Sequence, residues 1–185
     1  IDNKVSYLLD NFGEIPLPPY ILRKPTKRDK ECYQTLFAKI DGSVAAPTAA
    51  LHFDDLILNK LKKKGINIAN ITLHIGMGTF STIKSKDVNN HKMHSESYCV
   101  PKKTLELIEN CKKNNGKIIS VGTTVARSLE SFYSSNNKPD KFYETDIFIK
   151  PGYDFKIVDH LITNFHLPQS SLLVMISAFY DTKKV

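Results

Sequence analysis

The feature that most limits the fold of this chain is a repeated change of hydrophobic period between residues 54 and 179. Asp54 and Asp55 open a segment in which Leu56, Ile57 and Leu61 form one apolar stripe. Lys60 and Lys62 to Lys64 follow and Gly65 ends it, with acidic residues at the start and basic ones at the end, as a helix dipole favours. Residues 66–75 switch to a period of two, with Ile71, Leu73 and Ile75 alternating with Thr72 and His74, which predicts a strand. Pro101 suits the first position of a helix running to about Asn114 and closed by Gly116. Residues 117–121 read as a short strand, and Gly122-Thr123-Thr124 leads into a second helix ending near Tyr133. After a polar loop over 134–141, strands are expected at 145–149 and 155–162 around the turn Pro151-Gly152. Pro168 opens a last apolar helix to Phe179. Strands alternating with helices predict an α/β fold with a mixed, partly parallel sheet, flanking helices and right-handed crossovers.

The length of 185 residues suits about one domain with one sizeable core. No window approaches ~18 uninterrupted apolar residues, so a membrane-spanning helix is not expected. Lys and Arg number 26 against 19 Asp and Glu, and this excess of +7 favours an anionic partner, nucleic acid first. Cys32, Cys99 and Cys111 make no CxxC, finger or disulfide framework, which fits reduced thiols in a cytosolic protein. The first residue is Ile1 rather than Met, and no secretory signature follows it. The sequence therefore reads as a fragment or a processed chain. Pro16, Pro18, Pro19 and Pro25 make residues 12–26 an arm or linker entering the main domain. A basic run follows, Arg23, Lys24, Lys27, Arg28 and Lys30, and a short helix is expected across 27–38.

Five places carry candidate chemistry. Residues 42–53, GSVAAPTAALHF, are small enough for close backbone approach to backbone or to a ligand. Gly76-Met77-Gly78-Thr79-Phe80 follows a strand but lacks the third glycine and the later acidic residue of a dinucleotide site. It reads equally as a tight turn or as a loop cradling a ligand. His91, His94, Glu96 and Cys99 are residue types that bind zinc, yet their spacing matches no recognised ligand pair. A polar active-site loop in which Glu96 orients the His94 imidazole is the stronger reading. Gly122-Thr123-Thr124, with Arg127 one turn on, suits a phosphate or carboxylate, and the plain alternative is that Thr123 only caps the helix. Thr163 to Pro168 join a strand to a helix, where ligands of α/β sheets commonly bind; Asn164 serving the turn and His166 packing internally is the equal alternative. His52 and His74, in apolar surroundings, read as structural from pattern alone. Lys60 to Lys64, Lys102, Lys103, Lys112 and Lys113, together with the run at 23–30, form a candidate phosphate-binding face.

Taken together and in order, GEIPLPPYI (13–21), YQTLFA (33–38), GSVAAPTAALHF (42–53), ITLHIGMGTF (71–80), HKMHSESY (91–98), VGTTVARSLES (121–131), TDIFIKPGYDFKIVDHLITNFHLP (145–168) and SSLLVMISAF (170–179) resemble the S-adenosylmethionine:tRNA ribosyltransferase-isomerases of queuosine biosynthesis. The resemblance covers nearly the whole chain. It implies a cytoplasmic, monomeric transferase that moves and isomerises the ribosyl part of S-adenosylmethionine onto 7-aminomethyl-7-deazaguanine at the tRNA wobble position. Epoxyqueuosine-tRNA forms, and adenine and methionine leave. It implies no metal and no cofactor beyond the donor substrate, and the tRNA anticodon stem-loop as partner. It further implies that residues 1–13 trail from an inserted small β-barrel and that 14–185 are an incomplete α/β catalytic domain. The sequence departs from the family pattern at Ala50, usually Gly, at Ser81, usually Arg, and at Gln169, usually Lys. On this resemblance His94, Glu96 and His166 are the catalytic candidates, with one histidine as the base. His52, His74, Thr79, Phe80, Tyr98, Thr123, Thr124, Arg127 and Asn164 are the substrate-binding candidates. Arg127 with the two threonines would hold the methionine carboxylate, Asn164 would contact adenine or ribose, and Tyr98 or Phe80 would face the sulfonium. Rival classes are a non-catalytic tRNA-binding module, a methyltransferase, for which the glycine-rich motif is missing, and a metal hydrolase on His91, His94 and Cys99.

Overall fold

The structure, a computed structural model, describes residues 3–80, Ile83, Ser85 and 87–180. Six α-helices are described: α1 (Asn3–Phe12), α2 (Asp29–Cys32), α3 (Asp55–Lys63), α4 (Lys102–Lys113), α5 (Thr123–Ser134) and α6 (Ser171–Phe179). Five strands accompany them: β1 (Thr72–His74), β2 (Glu96–Cys99), β3 (Ile119–Val121), β4 (Phe142–Thr145) and β5 (His160–Ile162). They form two sheets. One is antiparallel in the order β1-β2-β4; the other is the parallel pair β3-β5. The expected mixture of parallel and antiparallel pairing is present, divided between two small sheets.

Both sheets share one core. Tyr98, Val100, Ile108, Ala126, Leu129, Phe132, Ile149, Ile157, Val158 and Met175 are buried together, so α4, α5 and α6 bury their apolar faces around β2 and the 147–158 segment. Burial of this kind is the main stabilising term, at roughly 25 cal/mol per Å². Local chemistry sets the element ends. The Asp54 carboxylate accepts from Ile57 N at 2.7 Å and caps α3, and Ser170 caps α6 by accepting from Leu173 N at 3.2 Å. Pro168 therefore precedes α6 rather than opening it. Pro101 stands at the N-cap of α4 rather than inside it, and Asn115, at φ 55°, takes the left-handed position assigned above to Gly116.

Three expected strands are shorter than their apolar runs, for identifiable reasons. The backbone N–H groups of Lys156, Ile157 and Val158 donate to the buried Glu130 carboxylate at 2.7–3.1 Å, so they are not available to a ladder. The carbonyls of Thr145 and Ile147 accept from the Arg127 guanidinium, and the strand expected at 145–149 ends at Thr145. Of residues 66–75 only 72–74 pair, and the Asn70 carbonyl accepts from the Thr104 hydroxyl at 2.6 Å. Conversely, β2 lies in the segment read as a polar loop. Glu96 and Tyr98 point inward there, alternating with half-exposed Ser97 and Cys99. The helix expected across 27–38 is confined to α2. The N-terminal residues 3–12 are helical, with Tyr7, Leu8, Leu9 and Phe12 exposed.

Candidate active site

Parallel pairing brings the C-terminal ends of β3 and β5 side by side. Gly122 extends the ladder by donating its N–H to the Ile162 carbonyl at 2.9 Å, and then turns at φ 102°, a conformation that favours glycine, to start α5. Gly122-Thr123-Thr124 and the 163–166 loop consequently open at the same place. The small-residue segment 42–50 docks opposite. The N–H groups of Val44 and Ala45 donate to the Ile75 carbonyl, and Ile75 N donates to the Ser43 hydroxyl at 2.8 Å. This carries Thr48 and Ala49 to the open end of β1.

A cleft of about 340 Å³ lies between these segments. Leu73, Ile75, Val125 and Leu172 give it apolar walls, and Thr48, Thr79, Thr123, Thr124, Thr163, Asn164, His166 and Ser170 give it polar edges. Asn164 is fixed on both sides. Its Nδ2 donates to Thr48 Oγ1 at 2.9 Å, which leaves its oxygen as acceptor for His52 Nε2 at 2.8 Å, so His52 carries a proton on Nε2. His166 Nε2 lies 2.9 Å from Thr163 Oγ1, and burial lowers its pKa, keeping the imidazole neutral at physiological pH. A neutral, half-buried imidazole in a cleft is equipped to accept a proton.

Behind the cleft lies a buried ion pair. Arg127 Nη1 donates to Glu96 Oε2 at 2.5 Å, with 4% and 3% of the two side chains exposed. Arg127 also donates to the carbonyls of Ile147, Thr145 and His94. Burial raises the Glu96 pKa, opposed by the Arg127 charge and by the Thr124 and Thr79 hydroxyls. Those hydroxyls influence the carboxylate without satisfying it, since Glu96 Oε1 has no hydrogen-bond partner among the described residues.

The expected site residues therefore divide. Thr79, Thr123, Thr124, Asn164 and His166 line the cleft, and His52 supports it through Asn164. Arg127, expected to fork onto a ligand carboxylate, forks onto Glu96 and three carbonyls instead. Glu96, expected to orient His94, faces Arg127, while His94 is solvent-exposed with its ring seated over Gly78. His74 alternates with Leu73 and Ile75, which line the cleft, so it lies on the other face of β1, 5.2 Å from the Phe142 ring. Tyr98 is fully buried, donates to Ser131 Oγ and accepts from Asn137 Nδ2, so it faces the core and not a sulfonium. Phe80 ends the short 3₁₀ turn Met77–Phe80, and its side chain, like Ser81, lies outside the described residues. The reading of 163–168 stopped short of Ser170, a further wall residue, and the proline arm was read as a linker or arm although Pro19 and Tyr20 line the cleft.

A second hollow of about 560 Å³ is lined mainly by apolar residues of α3, α4 and β3, and none of the candidate catalytic residues reaches it. Of the expected phosphate-binding face, Lys112 is engaged by Asp159 at 2.8 Å, which also takes Lys117, a residue outside that face, at 3.3 Å, and Arg23 is engaged by Asp29 at 2.7 Å. Lys60, Lys62 to Lys64, Lys102 and Lys103 are exposed. Among the described residues no three of His, Cys, Asp and Glu gather as a metal site, and no helix is long and apolar enough to cross a membrane.

The family model described as queuosine biosynthesis protein matches residues 2–185. The chain belongs to that family. A relative from Sulfurihydrogenibium sp., named S-adenosylmethionine:tRNA ribosyltransferase-isomerase, is 55% identical over 173 residues, covering 94% of this chain and 51% of the relative. One of the same name from Francisella philomiragia is 51% identical over 184 residues, covering 99% and 54%. The chain thus spans about half the length of the curated relatives it matches. The crystal structure of an S-adenosylmethionine tRNA ribosyltransferase from Thermotoga maritima superposes with a TM-score of 0.58 at 37% identity, over 73% of this chain and 42% of that one. The mixed α/β architecture is therefore shared with a solved member of the family.

Proposed function

We propose that this chain carries the donor cleft of a tRNA ribosyltransferase-isomerase. The reaction transfers and isomerises the ribosyl moiety of S-adenosylmethionine onto 7-aminomethyl-7-deazaguanine at the wobble position of tRNA. Epoxyqueuosine-tRNA forms, and adenine and methionine are released. The observation that carries the reading is the family match over residues 2–185, with a hydroxyl-edged cleft at the adjoining ends of β3 and β5. The protein works in the cytoplasm as a monomer, with S-adenosylmethionine as a substrate and without a resident metal or cofactor. Its tRNA partner presents the anticodon stem-loop, and the exposed lysines at the end of α3 and the start of α4 supply favourable charge.

The sulfonium acidifies the adjoining ribose carbon, and His166 takes that proton. Its burial keeps the imidazole neutral, and Thr163 fixes the ring. Asn164, held by His52 and Thr48, presents an oriented amide to the donor. Thr123 and Thr124, at the start of α5, offer backbone N–H groups and hydroxyls to its carboxylate. Arg127 and Glu96 position the walls and do not touch substrate. His94, outside the cleft, is the second candidate base.

The deciding experiment uses a chain of the relatives' full length, S-adenosylmethionine and precursor-bearing tRNA, with free adenine followed in single-turnover reactions. The unsubstituted protein releases adenine, and His166→Ala lowers the rate by about 10²-fold or more, the usual contribution of a general base. Near-normal rates in both His166→Ala and His94→Ala would remove both histidines from the role. Salt-sensitive tRNA binding without adenine release would favour a plain binding module.

A further inference from the structure

We propose that Phe165, on the lip of the donor cleft, is a stacking platform for an unpaired base of the acceptor tRNA. This rests on the donor-cleft reading above and adds to it the side from which the acceptor approaches. The lip runs from Thr163 to Gln169, and its polarity is inverted. Asn164 is held by Thr48 and His52, and His166 by Thr163, so the polar side chains are the ones tied down. Phe165 and Leu167 alternate with them and stand outward, at 106% and 54% relative exposure. Beyond them Pro168 biases Leu167 to an extended backbone, and the Gln169 carbonyl accepts from Ile83 N at 2.9 Å. The lip is thus anchored at both ends. Its two anchored neighbours keep the Phe165 ring in water.

Phe165 and Leu167 also border the cleft, so they stand at its mouth. An acceptor whose amine reaches a ribose inside the cleft must carry its neighbouring nucleotides past this lip. The bases of an RNA loop are unpaired and can be splayed out, and proteins hold such bases on aromatic faces. The chain's excess of +7 charges favours the same polyanion. A protein partner fits less well, because a stable protein interface needs about 800 Å² on each side and the lip offers one ring and one aliphatic side chain. A ring already fixed in place loses little freedom when a base settles on it. Stacking of this kind is sequence-tolerant, and its loss on substitution commonly changes affinity about 10-fold or more.

The test uses a chain of the relatives' full length and measures Kd for precursor-bearing tRNA by filter binding, Kd for labelled S-adenosylmethionine by equilibrium dialysis, and the thermal midpoint. No retention of S-adenosylmethionine by the unsubstituted protein would bring down the donor-cleft reading itself. Given retention, Phe165→Ala and Phe165→Leu are expected to raise the tRNA Kd about 10-fold or more, and Phe165→Trp to keep it within about threefold. The donor Kd should stay within about twofold in all three, and the midpoint within about 2 °C, as for a surface substitution. An unchanged tRNA Kd in Phe165→Ala, or full recovery in Phe165→Leu, would overturn the stacking role while leaving the donor-cleft reading standing. A midpoint several degrees lower in Phe165→Ala would show that another part of the full-length protein covers the ring. Loss of a dimer in that variant would show that a second copy does. Either result would overturn the assignment.

Discussion

Glu96 and Arg127 meet at 2.5 Å in a site that leaves both side chains almost wholly out of water. One comes from the start of β2 and the other from the first turns of α5. The guanidinium also takes carbonyls at 94, 145 and 147, so a single side chain joins the antiparallel sheet to the helix that opens on the cleft. Removing one member of a buried pair strands the other charge, which costs about 3–5 kcal/mol. Arg127→Met should lower stability by that order in urea unfolding, and Arg127→Lys should recover only part of it, because an ammonium lacks the planar fork. A loss below about 1 kcal/mol for Arg127→Met would show that the pair is not a structural clamp.

Glu130 makes a separate prediction. It is fully buried and accepts from Tyr153 Oη and from the backbone of Lys156, Ile157 and Val158 at 2.7–3.2 Å. Glu130→Gln replaces an acceptor oxygen by a donor that faces N–H groups. Charged hydrogen bonds contribute about 1.5–3 kcal/mol each, so the thermal midpoint should fall by several degrees. Glu106→Gln, on the exposed side of α4, serves as control and should leave it nearly unchanged.

Acid stability should register Asp159. Burial pushes its carboxyl up, but the Ile118 N–H with Lys112 and Lys117 outweighs that and brings it from 3.8 to about 2. The folded pKa lies below the unfolded one, so the stabilisation is complete above about pH 4 and is lost as pH falls through about 2. With half-exposed lysine partners the amount is about 1–2 kcal/mol after solvent screening. Asp159→Asn should flatten that acid limb in chemical denaturation, and an unchanged limb would count against the assignment.

His166 gives the opposite end of the same test. Burial depresses its pKa below 6.5, so the unfolded chain takes up the proton first as pH falls, and folding stability declines over that window. Adenine release should therefore persist to pH values below 6.5 before the imidazole protonates. An acid limb above 6.5 that survives in His94→Ala would take the proton-accepting role away from His166.

Two glycines separate the histidines experimentally. A Cβ at Gly78 would collide with the His94 ring, and one at Gly42, whose φ is 135°, would collide with the His74 ring. Gly78→Ala should unseat exposed His94 with little loss of stability and leave adenine release largely intact. Gly42→Ala adds backbone strain to the clash and should cost about 1–3 kcal/mol, measured by denaturant titration. A collapse of adenine release in Gly78→Ala would restore His94 as the base.

Much of this was legible in the residues. Alternation at 71–75, the Asp54 cap, the Gly122 turn and the 163–168 connection all stand where local chemistry places them. Buried polar groups hid the rest. Glu96 and Arg127 read as part of a polar active-site loop and as a ligand-binding cation because a charged residue carries no mark of being paired inside. The same ambiguity concealed β2 and overextended the strands at 145–149 and 155–162, whose backbone groups go to side chains. Pro18 and Tyr20 read as a linker because proline reports the loss of a donor and not what its ring packs against.

The bond from His52 to Asn164 joins residues 112 apart in the chain. Loop closure over such a span must be completed before the amide is oriented, so the cleft depends on a long-range closure that the helices do not need. Partly folded molecules would hold the helices and lack the recognition surface. A loss of donor affinity can therefore report incomplete chain closure as readily as a damaged contact, and affinity read alongside hydrogen exchange at 48–52 and 163–166 tells the two apart.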